Sequence, residues 1–462
     1  MKTTSFSRRR LLGGMTASAL LSRLGSIQAL AQTSGAPSDY KALVCILLAG
    51  GNDGHSTIVP LTQSAYNTYK AVRGTLALPD SNGPVMQVQT PDGTPYALNN
   101  GLRHISPLWS GTSAAGSSGA LAVLANVGML VEPVTRAKYL NPQQSGVKLP
   151  TNLFSHADQV QQMQSGIAAS TGGTGWGGRA ADSLQGLNGA ATFPAAVSLS
   201  GPSLYCTGNS IRSTSLFPGF NCDMAGMSLW PQSAANARQT GVQQLLQFDS
   251  GLTLVQAANK SRKDAMDLNG LLTSGLASQL TTPFPTTSIG QQLEQVARLI
   301  AIRSVTGMSR QVFFCSLGSF DTHGSQSWQQ WDLLSDLTDA MNTFYTCTQN
   351  DLQIPDKVTT FTISDFGRTL QPSGSGTDHG WGNHHMIMGG AVKGGNVYGT
   401  FPDLSLNGPD DSGSRGALIP STSIAQYGAT LARWFGVQDG VDMNTVFPTL
   451  PNFTIQDLGF MG

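Results

Sequence analysis

Short apolar runs recur along this chain and end in glycine-rich or polar segments. They lie at residues 40–49, 120–130, 195–199, 311–317 and 358–363. A continuous apolar run that stops at turn residues is typical of a β-strand buried on both faces. The pattern therefore predicts five buried strands.

Between these strands, apolar residues recur at the spacing of an amphipathic helix. The spacing predicts helices over residues 289–303, 328–345 and 423–435. Strands that alternate with helices favour an α/β fold, with a central, mostly parallel sheet that helices cover on both faces. Residues 32–462 are predicted to form a single domain, in which the loop-rich stretch 201–285 is an insertion or cap.

Residues 1–31 are predicted to be an export signal. An arginine pair, Arg8-Arg9, precedes an apolar stretch, and Ala29-Leu30-Ala31 has the small-x-small pattern of a cleavage site. These features are typical of a twin-arginine signal peptide, and the alternative is an anchoring helix with a basic N-terminus. We expect a periplasmic or secreted protein whose mature chain begins near Gln32. No later apolar run approaches the ~18 residues of a membrane span, so no integral span is expected.

Charge is sparse and balanced. Lys and Arg number 26, Asp and Glu number 26, and charged residues make up 11% of the chain. Nucleic-acid binding needs a basic field, so no nucleic-acid partner is expected. The five cysteines include no C-x-x-C pair, which argues against zinc-ribbon and thioredoxin-like sites. Cys206 and Cys222 are candidates for a disulfide in an oxidising compartment.

Acidic residues and histidines gather where the predicted strands end. The candidate metal ligands are Asp53, Asp321, His323, Asp365, Asp378, His379 and His384, with His385 as an alternative to His384. In open α/β sheets, binding sites form beyond the carboxyl ends of the strands. Carboxylate and imidazole groups are ligands of the divalent cations used in hydrolysis, so we expect Zn, Mn, Ca or Mg here. Any one of these residues by itself would be read as a turn Asp or a hydrogen-bonded His.

Common nucleotide and hydrolase motifs are missing from the sequence. It contains no P-loop, no G-x-S-x-G and no H-E-x-x-H. A G-x-G-x-x-G pattern occurs at residues 173–178, but no predicted strand precedes it, so the dinucleotide-binding interpretation lacks its required context.

Several longer motifs resemble the bacterial domain-of-unknown-function family 1501, DUF1501. They are Leu48-Ala49-Gly50-Gly51-Asn52-Asp53-Gly54, Phe320-Asp321-Thr322-His323-Gly324-Ser325-Gln326, Ser364-Asp365-Phe366-Gly367-Arg368-Thr369, Gly376-Thr377-Asp378-His379-Gly380-Trp381-Gly382, Gly389-Gly390-Ala391-Val392-Lys393-Gly394-Gly395 and Phe447-Pro448. The resemblance spans about residues 42–447. This family is placed in the alkaline-phosphatase-like superfamily, with sulfatases and phosphodiesterases. The resemblance therefore implies an alkaline-phosphatase-like fold with a two-metal site at its strand ends.

The resemblance also implies roles for individual residues. Asp53 looks like the first metal aspartate of the superfamily, and Asp321 with His323 looks like its later Asp/His pair at a shorter spacing. Asp365 stands where the superfamily usually has Asp-His, but Phe366 follows it here. One ligand is therefore either missing or supplied from elsewhere, by Asp378-His379, by His384 or by His385; His379 alternatively matches the last histidine of the superfamily. The carboxylates of Asp53, Asp321 and Asp365 are expected to share one pocket.

The nucleophile in this superfamily lies at a helix start, where free N–H groups favour an anion. Ser155 precedes a predicted helix start, and Ser56 and Thr57 are alternatives; the competing interpretation is that Ser155 only caps the helix. The candidate catalytic residues are Ser155, His156 and Arg368.

Two functions follow from the resemblance as expectations. The first is an exported, metal-dependent hydrolase of phosphate or sulfate esters that acts on a small-molecule or polymer substrate. The second is a non-catalytic envelope binding or assembly protein that retains the fold. Members of the family often accompany a second exported family, number 1800, so a protein of that family is a candidate partner.

Overall fold

A computed structural model describes residues 39–110, 119–169, 173–189, 191, 193–219, 226–227, 229–249, 251–272 and 280–462. The expected signal peptide, residues 1–31, lies outside the described residues. Cys222 also lies outside them, whereas Cys206 is buried. The disulfide between these two cysteines therefore stays a prediction.

The described chain alternates strands and helices. The strands are β1 (Lys41–Leu48), β2 (Ile58–Pro60), β3 (Met86–Gln89), β4 (Pro95–Leu98), β5 (Leu121–Gly128), β6 (Ala196–Ser198), β7 (Thr214–Ser215), β8 (Arg310–Leu317), β9 (Val358–Ser364), β10 (Asn383–Gly389), β11 (Val397–Tyr398) and β12 (Thr422–Ser423). The α-helices are α1 (Gln63–Arg73), α2 (Arg136–Leu140), α3 (Pro142–Ser145), α4 (His156–Ser165), α5 (Trp176–Ser183), α6 (Gln232–Gln247), α7 (Thr253–Leu272), α8 (Ser288–Ala301), α9 (Arg303–Thr306), α10 (Gln326–Asn350), α11 (Ile424–Phe435) and α12 (Val441–Val446).

Nine strands of the described chain form one central sheet. Its order is β11-β5-β10-β9-β1-β8-β6-β7, and β12 also pairs with β5. β10 runs antiparallel to both of its neighbours, and the other pairings are parallel. The prediction of an α/β fold with a mostly parallel sheet is confirmed. The strands β2, β4 and β3 form a separate antiparallel sheet.

The central strand β1 shows why the sheet is buried on both faces. Alternate side chains of a strand point to opposite sides. Val44 and Ile46 accordingly pack in one hydrophobic cluster, together with α8 and α10. Leu43 and Cys45 pack in a second cluster with α5 and α11. Each fully buried large apolar side chain contributes about 1.5–3 kcal/mol, so the two clusters hold the helices against the sheet.

All five predicted strands and all three predicted helices are present, with ends that move by a few residues. The strand β10 was missed, because its histidines were interpreted as ligands in a glycine-rich loop. Its apolar part, Met386–Met388, continues directly from His384 and His385.

The stretch predicted as an insertion contributes little to the sheet. Among its described residues, only β7 joins the central sheet, at one edge. Its helices α6 and α7 pack against each other and are mostly exposed. None of the helices in the described part of the chain combines the length and the apolar character needed to cross a membrane.

Three histidines are buried beside the polar end of the sheet. Burial lowers the pKa of His55 to about 4 and that of His385 to about 3. Burial, together with His55 and His385, also holds the pKa of His384 well below its ordinary value. The Nε2 atoms of all three lack a hydrogen-bond partner among the described residues. A proton on any of these rings would therefore be a poorly compensated buried charge.

This burial predicts a loss of stability in mild acid. The unfolded chain binds more protons than the folded chain below the ordinary histidine pKa of about 6.5. The free energy of unfolding is therefore highest above about pH 6.5. As the pH falls from there toward the pKa values of the folded state, it decreases by about 1.4 kcal/mol per pH unit for each histidine. Urea unfolding at pH 7.5, 6 and 5 measures the slope. His385→Phe should reduce the slope by about one histidine, whereas His104→Gln, at a partly exposed position, should reduce it less. Equal slopes in the two variants would contradict the prediction.

Candidate metal site

Four side chains converge at the carboxyl edge of the sheet. Asp321 and His323 follow β8, His156 is the first residue of α4, and His379 lies in the loop before β10. The parallel pairing of β1 with β8 and β9 brings the ends of these strands to one edge. Residues far apart in the chain meet there, as expected for an open α/β sheet.

The imidazole Nε2 atoms point at one another. The Nε2 atom of His379 lies 3.1 Å from that of His156 and 3.2 Å from that of His323. The Oδ1 atom of Asp321 lies 3.6 Å from Nε2 of His156, 3.0 Å from Nε2 of His323 and 3.5 Å from Nε2 of His379. Nε2 of His379 and Oδ1 of Asp321 therefore each lie close to the Nε2 atoms of both His156 and His323.

On each ring, the opposite nitrogen faces a fixed acceptor. Nδ1 of His156 lies 2.8 Å from Oδ2 of Asp365, and Nδ1 of His379 lies 2.8 Å from the carbonyl oxygen of Phe154. Nδ1 of His323 lies 3.5 Å from Oδ1 of Asp378. Metal-binding histidines typically have this kind of second contact, which sets the tautomer and the ring orientation.

These contacts determine where the protons lie. A carbonyl oxygen has no proton to donate, so Nδ1 of His379 carries the hydrogen and Nε2 of the neutral ring carries a lone pair. The carboxylate of Asp365 places the hydrogen of His156 at Nδ1 in the same way. Two nitrogen lone pairs that face each other at 3.1 Å repel unless a cation or a proton lies between them.

The pKa shifts favour a cation. Burial is the largest cause that lowers the pKa of His379, and the charge of Arg368 acts in the same direction against the opposing contact with Phe154. Partial burial acts to raise the pKa of Asp321, but the hydrogen bond and charge of Arg368 and the nearby histidines hold it below its usual value. Near neutral pH the site therefore offers a neutral imidazole and a carboxylate, which are the forms that bind metals.

The distances fit a single first-row cation. A tetrahedral zinc ion with bonds of about 2.0–2.1 Å separates its ligands by about 3.3 Å, and the observed separations are 3.0–3.6 Å. The ligand atoms of His156, Asp321 and His379 all lie within 4.8 Å of one another. His323 stands outside this group of three; its Nε2 atom lies 3.0 Å from Oδ1 of Asp321, and 49% of its side chain is exposed.

Left-handed backbone conformations flank the ligands. Phe154 has φ 70°, Ser319 has φ 75° and Ser325 has φ 50°. Such conformations cost about 1–3 kcal/mol each outside glycine and persist where the surroundings impose them. At Phe154 the result is visible, since its carbonyl oxygen contacts His379.

Arg368 is buried and holds the site together. Its guanidinium donates to Asp321 and to the backbone carbonyls of Gly50, Gly51, Phe320 and Thr377. These bonds occupy all three of its nitrogen atoms. Arg368 is therefore a positioning residue for Asp321 rather than a group that faces a substrate.

The contacts of Asp53 differ from those of the candidate ligands. Its carboxylate is buried and forms an ion pair with Arg73, and it accepts hydrogen bonds from Ser56 and Gln326. Burial lowers the pKa of Arg73 to about 9. The guanidinium of Arg73 compensates the charge of Asp53, and Asp53 is not among the three residues whose ligand atoms lie within 4.8 Å of one another.

The remaining predicted residues lie near the ligands or apart from them. Asp365 and Asp378 contact His156 and His323 from behind. His384 lies apart in β10, where its Nδ1 accepts the N–H of Asn126 and its ring stacks on Phe401. Ser155 precedes α4 without a side-chain capping bond, and its hydroxyl donates to Asp158 at 2.6 Å.

Sequence reasoning missed three contributors to the site. His156 was assigned to catalysis rather than to the ligand group, although its position at a loop-to-helix junction was recognised. Arg415, which pairs with Asp378, and the carbonyl of Phe154 were not identified. A backbone carbonyl has no residue signature, and Arg415 lies in a loop far along the chain.

Removal of the partner of Asp53 should be costly. Arg73→Met leaves a buried carboxylate unpaired, so the free energy of unfolding should fall by about 3–5 kcal/mol. The double variant Asp53→Asn/Arg73→Met should recover much of this loss, and urea unfolding measures both. Lys260→Ala breaks an exposed ion pair with Asp264 and should cost under about 1 kcal/mol. An Arg73→Met cost no larger than this control would contradict the buried-pair interpretation.

Comparisons with known proteins give a family. No curated protein matches the chain. A solved structure titled "Crystal structure of Ps i-CgsB" is similar over 89% of this chain and 77% of its own, with 8% identity and a TM-score of 0.34. The family model described as "Protein of unknown function (DUF1501)" matches residues 40–443. Because that match covers most of the chain, the protein belongs to the DUF1501 family.

Proposed function

We propose that this protein is an exported hydrolase of phosphate or sulfate esters, with an alkaline-phosphatase-like fold and one divalent cation. The cation would be held by His156, Asp321 and His379. The observation that carries the proposal is the approach of two imidazole Nε2 atoms to 3.1 Å while both Nδ1 atoms face acceptors. The proposed location, periplasmic or secreted, rests on the arginine pair and the apolar stretch that follows it.

The donor set favours zinc over calcium or magnesium. Imidazole nitrogens suit zinc and other first-row transition metals, whereas calcium and magnesium prefer oxygen ligands. Around the site, the carboxylates of Asp321, Asp365 and Asp378 face the guanidinium groups of Arg368 and Arg415. The three carboxylates outnumber the two guanidinium groups, and the remaining net negative charge favours the binding of a cation. When bound, such a cation would polarise the ester oxygen and lower the pKa of a coordinated hydroxyl or water.

The protein side chains supply orientation and proton transfer. Asp365 and the carbonyl of Phe154 orient His156 and His379. Ser155 remains the candidate nucleophile, since its hydroxyl donates to Asp158 and a neighbouring base activates such a group. His323 is the most exposed of the three histidines and has Asp378 behind it, itself paired with Arg415. This arrangement suits His323 to exchange a proton with the reacting group.

A specific observation favours the alternative of a non-catalytic protein. Nε2 of His323 lies close enough to His379 and Asp321 to act as a fourth ligand. Four protein ligands close a zinc site, and closed sites are typical of structural zinc. In that case the cation stabilises an envelope binding or assembly protein, whose candidate partner is an exported protein of family 1800. The role of His323 therefore discriminates between the two functions.

Metal analysis tests the cation site directly. The protein, purified gently and dialysed against zinc, should hold about one equivalent by elemental mass spectrometry. His379→Ala should weaken zinc affinity at least tenfold, and Asp365→Asn should weaken it about 10–100-fold through the lost orientation of His156. His104→Ala is the matched control and should bind as the wild type does. Less than a tenth of an equivalent of Zn, Mn, Ca or Mg, or equal affinities in His379→Ala and His104→Ala, would refute the site.

Replacement of His323 separates the two functions. If His323 transfers protons, His323→Gln should keep zinc affinity within about threefold and lower kcat by about 10²–10⁴. The substrates are 4-nitrophenyl phosphate, bis(4-nitrophenyl) phosphate and 4-nitrophenyl sulfate. Asp378→Asn should shift the pH profile of kcat while zinc stays bound. A large loss of zinc in His323→Gln, with no turnover by the wild type of any substrate, would instead favour the closed, non-catalytic site.

A further inference from the structure

A cavity of about 710 Å³ is lined by residues near the carboxyl ends of β1 and β8. Its floor is formed by Leu47 of β1 and by Phe314 and Ser316 of β8. The segment after β6, beginning at Leu199, forms another wall. The volume falls within the range of about 300–1,000 Å³ that is typical of ligand sites. The cavity therefore lies over the same edge of the sheet as the proposed metal ligands.

The cavity and the metal site share three structural elements. Leu47 precedes Gly50, the residue that contacts both Asp365 and Arg368, by three positions. Ser316 precedes Asp321 by five positions. Helix α4 carries His156 at its first turn and Gln164, which lines the cavity, near its last. At about 3.3 Å per extended residue and 1.5 Å per helical residue, and with the turn at Ser319 shortening the second span, these separations place the cavity at most about 10–15 Å from the candidate ligands.

The lining has no charge. The thirteen described residues that line the cavity include no Asp, Glu, Lys, Arg or His. Its apolar surface includes the rings of Phe217 and Phe314, and Phe217 is 56% exposed. A charged group that entered this space would lose solvation without gaining an opposite charge.

Several polar groups in the cavity remain available to a ligand. Oε1 of Gln164 accepts from Ser203 and from the N–H of Tyr205, which anchors the side chain and leaves its amide nitrogen without a partner among the described residues. The hydroxyls of Ser200 and Ser316 also make no hydrogen bond within the described part of the chain. In contrast, Gln292 is committed to the backbone of Ser316. The lining therefore offers aromatic surface, hydroxyls and an amide donor, all uncharged.

We infer that this cavity binds an uncharged, hydroxyl-bearing organic group, of which a neutral sugar ring is the model. Hydroxyls of such a group match Ser200, Ser316 and the amide of Gln164, and its apolar face matches the rings of Phe217 and Phe314. If the protein is the proposed hydrolase, the substrate is then an ester of an extended neutral polyol. This assignment of the substrate rests on the proposed function. The ester lies at the metal ligands and an uncharged part at most about 10–15 Å away lies in the cavity.

Binding of two matched glycosides to the full folded protein tests the inference without relying on hydrolysis. The probes are 4-nitrophenyl β-D-glucoside and 4-nitrophenyl β-D-glucuronide, which differ by a carboxylate on the sugar. Ligand-observed NMR should give a Kd below about 10 mM for the glucoside, and at least tenfold weaker binding for the glucuronide. Ser200→Trp, at an exposed position on the cavity rim, should weaken glucoside binding at least fivefold. Ser64→Trp, an exposed serine in α1, is the control and should have no effect.

The outcomes separate this inference from the proposed function. The variant His379→Ala should keep glucoside binding, because the cavity does not include the metal ligands. Retained binding together with a lack of zinc would therefore defeat the hydrolase and leave the cavity assignment standing. Equal affinities for the two glycosides, no binding of the glucoside at 20 mM, or unchanged binding in Ser200→Trp would each overturn the cavity assignment, whatever the metal content.

Discussion

The geometry of the site depends on one buried guanidinium group. Arg368 donates to backbone carbonyls after β1, after β8 and in the loop that leads to His379, and to the carboxylate of Asp321. Just beyond the carboxyl ends of parallel strands, backbone carbonyl groups no longer have a hydrogen-bond partner in the sheet. A single planar guanidinium group can donate to several of these carbonyls at once. Arg368 thereby fixes the separation of the strand ends and the direction of Asp321.

A second buried guanidinium explains why the site is smaller than the resemblance implied. Arg73 pairs with Asp53, and the pair is completely buried. A buried carboxylate needs compensation, which either a metal or a cationic side chain provides. Arg73 takes that place here, so the carboxylate after β1 stabilises the loop instead of contributing to the three-histidine group. Asp53 thus forms a buried ion pair, where the resemblance implied a metal ligand, because Arg73 of α1 lies against it.

The three histidines near the surface and the three histidines in the core differ in what their ring nitrogens contact. His156, His323 and His379 each have an acceptor at Nδ1 and ligand groups at Nε2. The Nε2 atoms of His55, His384 and His385 are buried and have no partner among the described residues. The first arrangement favours a cation between the rings. The second disfavours a positive charge, which is the basis of the predicted loss of stability in acid.

The sequence alone determined the fold class and most of the site. Apolar runs, helical spacing and the position of acids after strands depend on local order, so β1, β8, β9, Asp321 and His379 could be identified from them. The strand β10 was not, because histidines and glycines obscure its short apolar core. Tertiary structure alone decided which groups face one another. His156 faces Asp321 and His379, whereas Asp53 faces Arg73, since a buried charge is compensated by whichever partner folding brings within contact, and that partner is distant in the chain.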